Sequence, residues 1–171
     1  MRMRTRLRRG VLRAIRSRFT LDWHGIHGVP HWARVRLNGL AIAARTGART
    51  DVVELFAFLH DSCRQNDGRD EMHGRRAAAF AHSLRGKAFE IDDRGFELLA
   101  HACETHSDGH REGDPTLQAC WDADRLDLWR VYIEPDPKRL ATKVAAGKDV
   151  FDEAKRRSLA WRDGRRPRKG R

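Results

Sequence analysis

Six residues, His31, His60, Asp61, His73, His106 and Asp124, are of types that bind metal ions, and all but Asp61 stand where a helical protein normally keeps apolar side chains. Positions three and four apart share a helix face. By that rule His60 falls on the stripe Val53, Phe56, Ala57, and Asp124 on the stripe Leu117, Cys120, Trp121, Leu128. His73 heads Ala77, Phe80, Ala81, Leu84, while His106 ends Leu99, Ala102, Cys103, and His31 heads Val35 and Ile42. An imidazole or carboxylate buried without a partner costs kilocalories, and chains seldom repeat that placement. A shared cation satisfies all of these groups at once, so the residue types point to metal-assisted chemistry.

The elements that must carry these groups are helices. Ala, Leu and Arg dominate, runs of β-branched residues are nearly absent, and apolar residues recur with helical period, which gives an all-α fold. Pro30 takes a first-turn position and opens a helix over about 31–46. Residues 46–50 form the turn, with Thr50 or Asp51 as N-cap of a second helix over about 51–62. At about 1.5 Å per residue the chain runs out about 21 Å from His31 to Arg45 and returns about 14 Å from Asp51 to His60. An antiparallel pair thus brings the two histidines to similar heights. Further helices are expected over about 72–84, from Ile91-Asp92-Asp93 to about 105, over about 116–132 and, past the break Glu134-Pro135-Asp136-Pro137, from about 137 to 160.

The net charge of +11 is unevenly placed. Residues 1–18 hold eight Arg and no acid, and residues 155–171 hold nine Lys or Arg against Asp163 alone, so the ends carry +16 and the body, 19–154, carries −5. Basicity therefore bears on partners or solubility and says little about the central chemistry. Met3, Leu7, Val11, Ile15 and Phe19 recur at four-residue spacing, so 1–20 is an amphipathic basic helix whose apolar stripe packs on the body; 164–171 reads as a disordered basic tail. Three cysteines, Cys63, Cys103 and Cys120, lack CxxC spacing and argue for a reducing, cytoplasmic setting and against a disulfide framework or zinc finger. They read as small residues filling tight space. No stretch approaches the roughly 18 uninterrupted apolar residues of a membrane span. The chain contains no Walker loop, GxGxxG or GxSxG to compete for the chemistry.

The ordered set His31, His60-Asp61, Asp124 resembles the H…HD…D signature of the HD superfamily of metal-dependent phosphohydrolases. His31-Trp32-Ala33-Arg34-Val35 is similar to the HxxRV that opens that domain, and Phe58-Leu59-His60-Asp61 to the apolar run ending in HD. Trp121-Asp122-Ala123-Asp124-Arg125-Leu126-Asp127 is similar to the DADRLD segment of small bacterial members. The resemblance covers about residues 22–145 and implies an HD-like helical bundle over 21–145, with a C-terminal helical region at 146–163. It implies that His31, His60, Asp61 and Asp124 coordinate one metal, with His60 and Asp61 at the catalytic centre. Asp122 competes for the last place, but two residues are about 200° of helix, which turns it away from the apolar stripe. His73 and His106 resemble the additional histidines of members that bind a second metal or grip a phosphate. A two-His, two-carboxylate set suits Mn²⁺, Fe²⁺, Co²⁺ or Ni²⁺, with Mg²⁺ and Zn²⁺ compatible.

Around that centre, Arg34 and Arg64 lie one turn from ligands, with guanidinium forks that match phosphate oxygens. His24 and His27 precede the site by one or two turns and are candidates to touch substrate. Asp127 shares the face of Asp124 and is placed to orient a ligand. His82, His101 and His110 read as solvent-facing. The resemblance implies hydrolysis of a nucleotide or another small phosphate ester, with the cation lowering the pKa of its water toward about 7 and a carboxylate or histidine handling the proton. The alternative, from a different class, is a non-catalytic HD-fold regulatory or nucleic-acid-binding protein whose basic ends make weak nucleic-acid contacts. The acidic body and the intact ligand set weigh against it.

Overall fold

A computed structural model describes the backbone of residues 2–165 and the side chains of residues 9–165. The side chains of Met3 and Leu7 and all but the first two residues of the 164–171 tail lie outside the described residues. The helices are α1 Arg2–Arg16, α2 Val29–Thr46, α3 Thr50–Leu59, α4 His73–Leu84, α5 Asp93–Thr105, α6 Pro115–Arg125, α7 Lys143–Ala146 and α8 Lys148–Gly164, with 3₁₀ turns at Leu128–Val131 and Pro137–Arg139. Among the described residues, extended pairing is confined to an isolated bridge between Arg85 and Phe89. No described helix is long and apolar enough to cross a membrane.

Local chemistry sets several of the boundaries. Prolines occupy the first turns of α2 and α6, where a missing N–H costs nothing. Asp92 accepts from Gly95 N at the start of α5, and Asp114 from Thr116 N at the start of α6. The short turn after α2 folds α3 back on it as a helical hairpin, and α2 packs also on α6 and α8. Helix α5 packs on α3, α4 and α6. Trp32, Phe56, Leu99 and Trp121, from α2, α3, α5 and α6, are at most 1% exposed and fill the junction of these four helices. A Cβ at Gly39 would stand 2.5 Å from Val53 Cγ1, so this glycine lets α2 close on α3. A Cβ at Gly74 would stand 2.5 Å from the Cys103 carbonyl oxygen; its absence seats the first turn of α4 on the last turn of α5, beside His106.

Three elements differ from expectation. Helix α3 begins at Thr50 with Arg49 in the N-cap position, because Asp51 accepts from the Arg49 guanidinium and from Val52 N rather than serving as the cap. The helix expected over 116–132 stops at Arg125, where the chain turns to bury Asp127, and Tyr132 then adopts φ 64. The region expected to be helical from 137 to 160 is three pieces. Its break is fixed by Asp122, which accepts from Ala141 N and Thr142 N, while Thr142 caps α7 by accepting from Ala145 N. Val150 and Ala154 of α8 belong to the same core as the rest. At the other end Val11 and Ile15 of α1 are fully buried in that core.

Candidate metal centre

The four histidines of the cluster present the same nitrogen inward. His31 Nδ1 lies 2.7 Å from Asp127 Oδ2 and His60 Nδ1 lies 3.1 Å from the Phe56 carbonyl. His106 Nδ1 lies 2.8 Å from the Cys103 carbonyl, and His73 Nδ1 contacts the Asp70 carbonyl. A carbonyl oxygen or ionised carboxylate can only accept, so Nδ1 carries a proton in each ring and Nε2 is the nitrogen left to take a further proton or a cation. Those Nε2 atoms face one another in pairs: His31 with His60 at 3.0 Å, and His73 with His106 at 2.8 Å. Two lone pairs at that distance repel unless a proton or a cation stands between them.

Asp61 joins the two pairs. Its Oδ2 lies 3.4 Å from His31 Nε2 and 3.6 Å from His60 Nε2, and its Oδ1 lies 3.4 Å from His73 Nε2 and 3.7 Å from His106 Nε2. Asp124 Oδ1 closes the first group, 3.3 Å from His31 Nε2 and 3.7 Å from His60 Nε2. Ligands about 2.1 Å from a common ion stand about 3.0–3.4 Å apart; the spacings here, from 2.8 to 3.7 Å, straddle that range, and the imidazole and carboxylate donors suit a divalent cation. Within each of the triads His31/His60/Asp61, His60/His106/Asp124 and Asp61/His73/His106, the ligand atoms lie within 4.8 Å of one another. These buried His and Asp groups could hold a metal ion.

Without a cation the cluster settles its charges by proton sharing. Burial opposes charge on His31, yet hydrogen bonds with Asp124, Asp127 and Asp61 raise its pKa to about 9. Its neighbour His60 is driven by burial down to about 3. The second pair divides in the same way. Burial and the charge of His106 lower His73, whereas Asp61 and Asp124 raise His106 against its burial. Asp61 resists its own burial and stays well below the usual carboxylate range, held there by the charge of His60, by the nearby His106 and His31 rings, and by the charge of Arg64.

Behind His31 stands a second layer. Asp127, fully buried, accepts from Arg34 Nε at 2.6 Å and from an Arg34 terminal nitrogen at 2.9 Å, while Arg130 reaches its carbonyl at 3.2 Å. Arg34 also stacks 4.5 Å over Trp161 of α8. This corrects the expectation that Arg34 binds phosphate: its fork is spent on Asp127 and it does not line the cavity over the site. Asp122 likewise turns away from the cluster, but into the core rather than toward solvent. Sequence reasoning missed Arg130, Arg76 and the Asp67 partner of His27. Arg76 binds the Cys63 carbonyl at 3.0 Å and Asp70 at 2.7 Å, thereby tying down both ends of the loop between Asp61 and His73. The bonds of His27 to Asp67 and of Arg130 to the Ile26 carbonyl join segments far apart in the chain, and those of Arg76 cross a loop, so none follows from helical periodicity.

The cluster forms the floor of a cavity of about 760 Å³. Asp61, Asp124 and His106 are exposed to it; Arg64, Arg111, Arg125, Arg130 and Arg139 supply positive charge, and Leu128, Val131 and Ile133 an apolar side. Arg64 gives Nε to Asp61 Oδ1 at 2.9 Å and one terminal nitrogen to the Gly68 carbonyl. His27 lines the cavity with Nδ1 2.9 Å from Asp67 Oδ1. His24, His82, His101 and His110 are exposed and outside it. All three cysteines are free and buried in the core.

Compared with protein-family models, curated proteins and solved structures, the chain matches none.

Proposed function

We propose that the chain is a metal-dependent phosphohydrolase of the HD type, acting on a nucleotide or another small phosphate ester. One observation carries the reading: four histidine Nε2 atoms converge with Asp61 and Asp124 at the floor of an arginine-lined cavity. His31, His60, Asp61 and Asp124 would hold one cation, and His73, His106 and the second oxygen of Asp61 another. Mn²⁺, Fe²⁺, Co²⁺ or Ni²⁺ suit the mixed imidazole and carboxylate donors best, and Mg²⁺ or Zn²⁺ remain compatible. A divalent cation, when bound, supplies Lewis acidity and a water of low pKa to a phosphoryl centre.

The chain’s own residues supply the rest. Asp127, fixed by Arg34, orients His31 by holding its Nδ1 proton. Arg64 holds Asp61 in place and faces the cavity, where it can meet phosphate oxygens. His27, oriented by Asp67, has no protein partner at Nε2 among the described residues and is positioned to exchange a proton with, or hydrogen-bond, a bound ester. The apolar side formed by Leu128, Val131 and Ile133 suits the organic part of such a substrate.

The test is phosphate release from a panel of nucleotides and phosphate esters by metal-loaded protein, with metal content measured in parallel. Release should disappear with chelator, return with added cation, and be lost in His60→Ala. A protein that binds its metal stoichiometrically and hydrolyses no ester would leave a metal centre but end the enzymatic reading.

A further inference from the structure

The wall of the cavity beside Asp124 carries two arginines, Arg111 and Arg125, neither of which has a hydrogen-bonded carboxylate among the described residues. Most guanidinium groups in this molecule meet a carboxylate: Arg34 with Asp127, Arg36 with Glu54, Arg76 with Asp70 and Arg85 with Asp93. Arg111, in the loop between α5 and α6, meets none among the described residues, yet it lines the same cavity as Asp61 and Asp124. Its backbone is not loose. Gln118 Nε2 donates to its carbonyl at 2.9 Å, and the carbonyl of its neighbour His110 accepts from an Arg125 terminal nitrogen. The loop is thus pinned to α6 on both sides of an exposed, unpaired arginine.

Arg125, next in sequence to Asp124, is the second group. Its Nη1 is buried and has no hydrogen-bond partner. The nearest carboxylate oxygen, Asp122 Oδ1, is 3.6 Å away, too far for a hydrogen bond, and the Asp122 carboxylate is already occupied by Ala141 N, Thr142 N and Thr142 Oγ1. Arg125 lines the same cavity as Arg111, and its bond to the His110 carbonyl ties it to the residue next to Arg111. Two guanidinium groups lining one cavity, one of them exposed and unpaired, are placed to meet the same anion.

We propose that Arg111 and Arg125 form a second anion subsite of this cavity, so that the preferred substrate is a phosphate ester bearing a second phosphate, a diphosphate or a bisphosphate. One phosphate sits at the Asp61–Asp124 floor and the other on the arginine wall. As a statement about substrate this rests on the phosphohydrolase reading; as a binding site it does not.

The experiment is calorimetric titration of the Mn²⁺-loaded full chain with two non-hydrolysable probes, methylenediphosphonate and methylphosphonate, in the parent protein and in Arg111→Ala. Arg111 is exposed and makes no side-chain contact that the fold needs, and a circular dichroism melt verifies folding. The ratio of diphosphonate to monophosphonate affinity should fall at least about tenfold in Arg111→Ala, the loss of one charge-assisted contact. Arg111→Lys should recover part of it. A ratio unchanged by Arg111→Ala overturns the subsite. Turnover separates the two readings. If no ester is hydrolysed while the affinity ratio responds to Arg111, the phosphohydrolase reading fails and the subsite stands. If mono- and diphosphate esters turn over equally and Arg111→Ala is silent, the subsite fails and the phosphohydrolase reading stands.

Discussion

The two histidine pairs of the centre are alike at their tips and different behind them. His31 is backed by a buried chain of charge, Asp127 then Arg34 then the ring of Trp161, that links α2, the turn after α6, and α8. His60 leans on its own helix, through the Phe56 carbonyl. The second pair has only local backing: His106 rests on the Cys103 carbonyl one turn earlier, and His73 on the Asp70 carbonyl in a partly exposed loop whose hold on the protein is Arg76. Preorganised ligands lose less freedom on binding. The first pair should therefore bind its cation more tightly, and the second pair should be the adjustable half. Asp61 belongs to both, one oxygen to each pair.

The largest effect should follow from removing what the halves share. Asp61→Ala should lower metal content at saturating Mn²⁺ below one per chain and bring phosphate release to background. A variant that keeps one tightly bound metal would show that the halves are independent. Next comes the adjustable half alone. His73→Ala/His106→Ala should lower metal content from two per chain to one and reduce, without abolishing, activity. Loss of both metals would make the second pair structural to the first.

Metal binding should also depend on pH. The raised pKa of His31, about 9, means that its ring carries an extra proton at pH 7 in the metal-free protein. A cation must displace it. Binding should therefore release protons at pH 7, and affinity should rise as pH climbs from 7 toward 9 by up to about tenfold per unit for each proton displaced. Calorimetry in buffers of different ionisation enthalpy counts these protons; none released would contradict the proton-shared cluster. The smallest effect belongs to the loop clamp. Arg76→Ala should weaken the second metal by less than about tenfold and leave the first unmoved, with Arg76→Lys restoring part of the loss.

The cluster was legible because a buried ionisable group on an apolar stripe is a local contradiction, visible at His31, His60, His73, His106 and Asp124 within a few residues of sequence. The helical class was legible for the same reason, since periodicity is local. Where groups answer one another across the fold, that reasoning had no purchase. Arg34 looks like a phosphate binder until Asp127, far along the chain, is seen to occupy its fork. Asp122 looks idle until the chain returns at Thr142 to claim it. The end of α6 at Arg125 has the same origin: helical periodicity continues past it, but burying Asp127 between His31, Arg34 and Arg130 bends the chain there.

The central claim is that the inward Nε2 atoms are metal ligands. Anomalous diffraction at the manganese edge from crystals of the Mn²⁺-saturated protein tests it most directly. The expected result is a peak bounded by His31 Nε2, His60 Nε2, Asp61 and Asp124, with a weaker one among His73, His106 and Asp61. Density at saturating Mn²⁺ in which His31 and His60 still hydrogen-bond directly to each other, with no peak between them and the two carboxylates, would contradict it.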